Sequence, residues 1–132
     1  MATLTARLTL ESTDATSDAL SLSVTDSLTI VSPLVNISKI TATTTGGDSI
    51  IVPNLDSPRY VYLKHMGLNS AGSSSGTDKV VVETADGTQI IELKIGEFAF
   101  FPWDCTADII YDANGDYSAA LETWIFVRTG TA

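Results

Sequence analysis

A chain of 132 residues is long enough to bury a continuous core as one domain without disulfide or metal staples. Its 44% hydrophobic and 17% charged residues, with Ser and Thr filling much of the remainder, describe a folded, β-rich domain with a hydroxyl-rich exterior and exclude a disordered chain. The formal charge of −9 includes seven basic residues scattered one at a time (Arg7, Lys39, Arg59, Lys64, Lys79, Lys94, Arg128), which excludes the clustered cations that neutralise phosphates, so no nucleic-acid partner is expected.

The single cysteine, Cys105, rules out an intrachain disulfide and a multi-cysteine zinc site. The first ten residues lack a basic region followed by an apolar run and a cleavage site, and no window approaches the ~20 apolar residues of a membrane helix, so neither a signal peptide nor a membrane span is expected. Without a secretory route, the glycosylation pattern Asn36-Ile37-Ser38 carries no weight.

From Leu4 to Leu10 the even positions are apolar and Thr5, Arg7 and Thr9 face the other way, the period-2 pattern of a half-buried strand. Leu20, Leu22, Val24, Leu28 and Ile30 resume that alternation, with Asp26 where an apolar residue is due. This predicts either one long strand with a bend or bulge near Thr25-Asp26-Ser27 or two strands joined there. The parity is odd at Val35 and Ile37 but even at Ile40 and Ala42, which predicts a strand from about Leu34 to Thr44 with a bulge near Ser38-Lys39.

A turn at Thr43 to Asp48, a short strand at Ser49 to Pro53 and a second turn at Asn54 to Pro58 follow. Arg59 to Met66 reads as a strand with Val61, Leu63 and His65 on one face and Tyr60, Tyr62, Lys64 and Met66 on the other. The Gly/Ser-rich run within residues 67–78 predicts a mobile loop. Lys79 to Thr84 and Thr88 to Ile95 flank Ala85-Asp86-Gly87 and make the clearest hairpin in the chain. Strands at Glu97 to Pro102, Ala107 to Asp112 and Ala119 to Arg128 complete the pattern, with a tight turn at Ala113 to Asp116.

About eight to nine short antiparallel strands with no helical window predict an all-β fold, because only two packed sheets or a closed barrel cover this many apolar strand faces. A single jelly-roll-like β-sandwich over residues 1–132, with two four-stranded sheets and the first strand added at an edge, fits the count. No fixed period indicates a propeller or solenoid.

Chemistry is sparsely represented. His65 is the only histidine, and between Lys64 and Met66 on a strand it reads as a packed residue rather than a general base. Cys105 has no second histidine or glycine-rich elbow in support of a nucleophile and reads as a small buried hydrophobe. Asp112, Asn114 and Asp116 alternate like the opening of a calcium loop, but Tyr117 stands where a glycine is needed and Thr123 where a bidentate Glu belongs. A structural turn is therefore the reading, with calcium as the alternative. No cofactor is implied, and no pair of carboxylates can be assigned to glycosidic chemistry from sequence.

The aromatic residues Phe98, Phe100, Phe101, Trp103, Trp124 and Phe126, at strand spacing, read as core or subunit interface, with a sugar-stacking platform as the alternative. Phe98 and Phe100 share one face of their strand and Ala99 and Phe101 the other. The expectation is that Phe98 and Phe100 fill the sandwich. Phe101 and Trp103 then point away, and with Trp124 and Phe126 they form an oligomer or lattice interface.

The alternating Ser/Thr-rich strands, the segment Gly96-Glu97-Phe98-Ala99-Phe100-Phe101-Pro102-Trp103 and the closing strand Leu121 to Val127 together resemble small jelly-roll structural proteins of tailed bacteriophages. These include head decoration (cement) proteins and related accessory virion proteins. The resemblance implies a non-enzymatic protein, made in the host cytoplasm and resident in the virion. It would assemble with itself, often as a trimer, and bind the major capsid protein or another virion protein. A tail or fibre module that recognises host glycans is the alternative. Gly96 to Pro102 is also similar to the glycine-then-proline strand of cupin-like jelly rolls, but metal-dependent cupins supply several histidines and this chain has only His65.

Overall fold

The computed structural model describes residues 2–15, 17–31, 36–42, 49–52, 58–67, 79–84, 86–113 and 119–128. They form ten strands: β1 (Ala2–Ser12), β2 (Leu20–Ile30), β3 (Asn36–Ala42), β4 (Ser49–Val52), β5 (Arg59–His65), β6 (Val80–Thr84), β7 (Gln89–Leu93), β8 (Phe98–Trp103), β9 (Ile109–Ala113) and β10 (Ala119–Val127). No helix occurs among the described residues. All pairings are antiparallel.

Eight of the strands make two four-stranded sheets, in the orders β3-β10-β5-β8 and β4-β9-β6-β7. The hydrogen-bonded pairs are nested: β3 with β10, β4 with β9, β5 with β8, and β6 with β7. A long hairpin closed at β6–β7 and folded back on itself produces this order. Val61 and Leu63 of β5 and Leu121 of β10 meet Val80, Val82, Leu93 and Ile109 of the opposite sheet in one buried cluster. The molecule is thus a β-sandwich whose inner faces interdigitate.

β1 and β2 stand apart. They pair with each other as a separate two-stranded sheet, so the first strand is not added to a sandwich edge. Their register runs without interruption from Ala2↔Ile30 to Ser12↔Leu20, so neither a bulge nor a break occurs at Asp26. Asp26 is accommodated locally, its carboxylate accepting the Ser27 amide N–H at 2.8 Å. The hairpin joins the sandwich where the Val31 N–H donates to the Val127 carbonyl at 2.8 Å and Ile30 bridges Arg128.

The bulge expected at Ser38-Lys39 is also absent, because β3 and β10 stay in step from Asn36↔Ile125 to Ala42↔Ala119. Ile40 lies opposite Leu121 and Ile37 opposite Trp124 in that register. Register shifts fall instead at Ile50/Val52 and Val82/Glu83. The expected β6–β7 hairpin is present around Asp86-Gly87, with Gly87 at φ 87°, a conformation glycine adopts without steric cost. Most of the predicted Gly/Ser loop, 68–78, lies outside the described residues.

Candidate functional site

β8 shows the largest departure from expectation. Ala99, Phe101 and Trp103 pack against the core cluster, whereas Phe98 is 59% and Phe100 38% exposed. The strand therefore lies with the opposite face inward. Its register with β5 sets this: Ala99 is opposite Leu63 and Phe101 opposite Val61, and directly opposed residues share a face. Phe101 and Trp103 consequently belong to the sandwich interior and not to an outward interface.

The end of β8 is locked by side-chain chemistry. The Trp103 indole N–H donates to the Ala107 carbonyl at 3.1 Å. The Asp104 carboxylate accepts both the amide N–H and the hydroxyl of Thr106, which holds its acidity below the ordinary carboxylate range. The intervening Cys105 takes a left-handed backbone at φ 63° and turns a fully buried side chain into the core. Burial raises its thiol pKa, the opposite of what a nucleophile requires.

The outward side of the β10-β5-β8 part of this sheet is an ordered grid. Register places Glu122, Lys64 and Phe98 in one row, Trp124, Tyr62 and Phe100 in the next, and Phe126, Tyr60 and Pro102 in the third. Tyr60 stacks with Phe100 at 6.1 Å between ring centres, and Tyr62 lies 6.4 Å from Phe98. Trp124 and Phe126 are 6.4 Å apart, and the Arg128 guanidinium lies 5.0 Å from the Tyr60 ring centre, a cation–π distance. Glu122 accepts the Trp124 indole N–H at 3.0 Å. The Tyr62 hydroxyl has its pKa raised, first by burial and then by the negative charge of Glu122.

This grid and the base of the β1–β2 hairpin together line a groove of 1020 Å³, the hairpin contributing Leu4, Ala6, Leu8, Val24 and Leu28. Of the residues expected at an interface, Trp124 and Phe126 line it, the former half-buried and the latter buried. Sequence reading missed Tyr60, Tyr62, Phe98 and Phe100 as its other aromatic members. A signal for the tyrosines was present, since they alternate with the core residues Val61 and Leu63. For the phenylalanines none was, because both faces of β8 are apolar.

The remaining candidates do not converge on this groove. His65 is fully buried and its Nδ1 accepts the Gly67 N–H at 3.0 Å, while its backbone exchanges hydrogen bonds with Gly96 and Glu97. It pins the end of β5 to the turn before β8. Among the described residues no group of three or more His, Cys, Asp or Glu side chains is placed to hold a metal. Asn114 and Asp116 of the calcium candidate lie outside the described residues, and Asp112 falls in β9 opposite Val81. No known family, curated protein or solved structure matches the chain.

Proposed function

We propose that the protein is a non-enzymatic structural component of a bacteriophage particle, a decoration or cement protein that assembles with copies of itself and stabilises the head lattice. The observation that carries this reading is the aromatic outer sheet face with Phe98 and Phe100 exposed, next to a hairpin with its own exposed apolar side. An acidic domain that keeps such a surface in water gains free energy when a protein partner covers it. The nested strand pairing and the resemblance to small phage jelly-roll proteins supply the setting: a virion, with the major capsid protein or another virion protein as partner.

The test uses capsids that lack the protein. Added protein should co-sediment with them and raise their melting temperature, and an absence of both effects sinks this reading. A second reading, a tail or fibre module for host glycans, is favoured by the Trp124–Tyr62–Phe100 row bordered by Glu122 and Arg128, since sugar rings stack on aromatic faces. Retention on a carbohydrate array, with loss on Trp124→Ala, would favour the glycan reading over the capsid one.

A further inference from the structure

We infer that the β1–β2 hairpin is an exchange arm, whose tip is covered by the outer aromatic face of a second copy of this chain. The hairpin alternates throughout except at Asp26, which stands opposite Ala6 on the apolar face: that face carries Leu4, Leu8, Leu10, Leu20, Leu22, Val24 and Leu28, and the other is mostly Thr and Ser. Such a ribbon is marginal in water unless something covers its apolar side. At its base Leu4 and Leu28, which line the groove, are half-buried. From Leu8 and Val24 out to the tip it has no such cover: these two are 43% and 51% exposed, and Leu10, Leu20 and Leu22 are 45%, 36% and 43% exposed.

Length accounts for the overhang. At 3.4 Å per residue a strand of 11 residues reaches about 37 Å, whereas the six-residue β8 reaches about 20 Å and four strands side by side span roughly 15–20 Å. An arm anchored at one end of the sandwich outruns the body in either direction.

The complementary surface is on the same chain. Phe98 and Phe100 stand on the edge strand of the sheet, on the side the groove occupies. Together with the exposed arm residues they present roughly 600 Å² of apolar surface, taking up to ~250 Å² for a whole aromatic side chain. That equals or exceeds the apolar share, somewhat over half, of the ~800 Å² each partner contributes to a standard interface.

Area, rather than charge, favours a copy as the occupant. The arm carries Arg7, Glu11 and Asp26 on its strands and Asp14 and Asp18 in its turn, so the copies meet through their apolar faces while their acidic residues stay at the rim. One arm tip and one aromatic edge per chain allow exchange to close into a symmetric oligomer. This goes beyond the virion reading and does not depend on it.

Light scattering on the full chain tests it. The expected mass is a multiple of 14.0 kDa of two or more, and association should tighten as salt screens the negative bodies. The pair Leu10→Ser with Leu22→Ser, opposed across the hairpin, should raise the dissociation constant by roughly a hundredfold. Phe98→Ser on the body should weaken it at least tenfold, with the near-ultraviolet spectrum of each variant unchanged. Mixing a Leu22→Cys chain with a Phe98→Cys chain under oxidation should give a mixed disulfide dimer. A wild type that stays monomeric at all concentrations and salts, an oligomer untouched by both Ser variants, or cysteines that never pair between chains would each overturn the inference. Capsid co-sedimentation of the wild type separates the two proposals: self-association without capsid binding leaves the arm inference standing and sinks the virion reading, and capsid binding by a wild type that stays monomeric does the reverse.

Discussion

The sandwich and the arm are built from strands of the same kind and end in different states. β5 alternates Val61, Leu63 and His65 with Tyr60, Tyr62 and Lys64, and its first set is fully buried between two sheets. β1 and β2 alternate Leu with Thr and Ser even more regularly, yet Leu8, Leu10, Leu22 and Val24 are exposed. What differs is the second layer. An apolar sheet face is stabilised only when another layer removes it from water, by about 25 cal/mol per Å². A period of two therefore reports which side chains share a face, and says nothing of whether that face is covered.

Truncation separates the two regions most strongly. Leu63→Ala should destabilise the fold by about 2–5 kcal/mol in urea or guanidinium titration, through lost transfer energy and a cavity at a site closed on all sides. Leu10→Ala in the arm should cost under about 1 kcal/mol in the dissociated chain; similar costs at both positions would break the comparison. The two faces of β8 provide the next contrast. Phe101→Ala, which opens the core, should cost about 2–4 kcal/mol, and Phe98→Ala, on the outer face, about 1 kcal/mol or less. The reverse order would return β8 to the orientation its sequence first indicated.

A smaller effect is expected where the sandwich is pinned at His65. Gly67 sits at φ +73°, and a Cβ there would meet the Ile95 Cγ2 at 2.8 Å. Gly67→Ala should cost about 1–2 kcal/mol, mostly from the left-handed backbone, because the Ile95 methyl can rotate away. No change in the denaturation midpoint would show that this turn relaxes freely. Amide exchange compares the same regions without mutation: arm amides should exchange well before those of β5 and β10 under conditions that dissociate copies. Equal protection would make the arm part of the cooperative body.

Acid gives the smallest effect, and one confined to the body. The Thr84 hydroxyl and Thr88 amide hold the Asp86 carboxyl below its usual range, Thr106 does so for Asp104, and Lys79 for Glu92. A carboxylate depressed in the folded state stabilises above its unfolded pKa, and that contribution is lost as pH falls through the folded value. Stability should therefore decline below about pH 4. Asp104→Asn should make that decline shallower while leaving arm exchange unchanged, and an identical acid limb would remove Asp104 from the account.

Several elements were legible in the residues. The β6–β7 hairpin was marked by Asp86-Gly87 between two apolar runs, and the β10 faces by Leu121, Thr123 and Ile125 against Glu122, Trp124 and Phe126. The even parity of Leu4 to Leu10 and Leu20 to Ile30 was legible too, but not that these strands would pair only with each other. The candidate site was half visible, in Trp124 and Phe126.

The chain's own sequence determined the all-β class, the position of most strands and which side chains travel together along each one. These follow from local sterics and from a two-residue repeat that every strand obeys. Tertiary structure alone decided the outward turn of Phe98 and Phe100, the unbroken register through Asp26 and Ser38-Lys39, and the separation of the arm from the sandwich. Each depends on a neighbour distant in the chain. When both faces of a strand are apolar, only the register of its partner can choose which one meets the core.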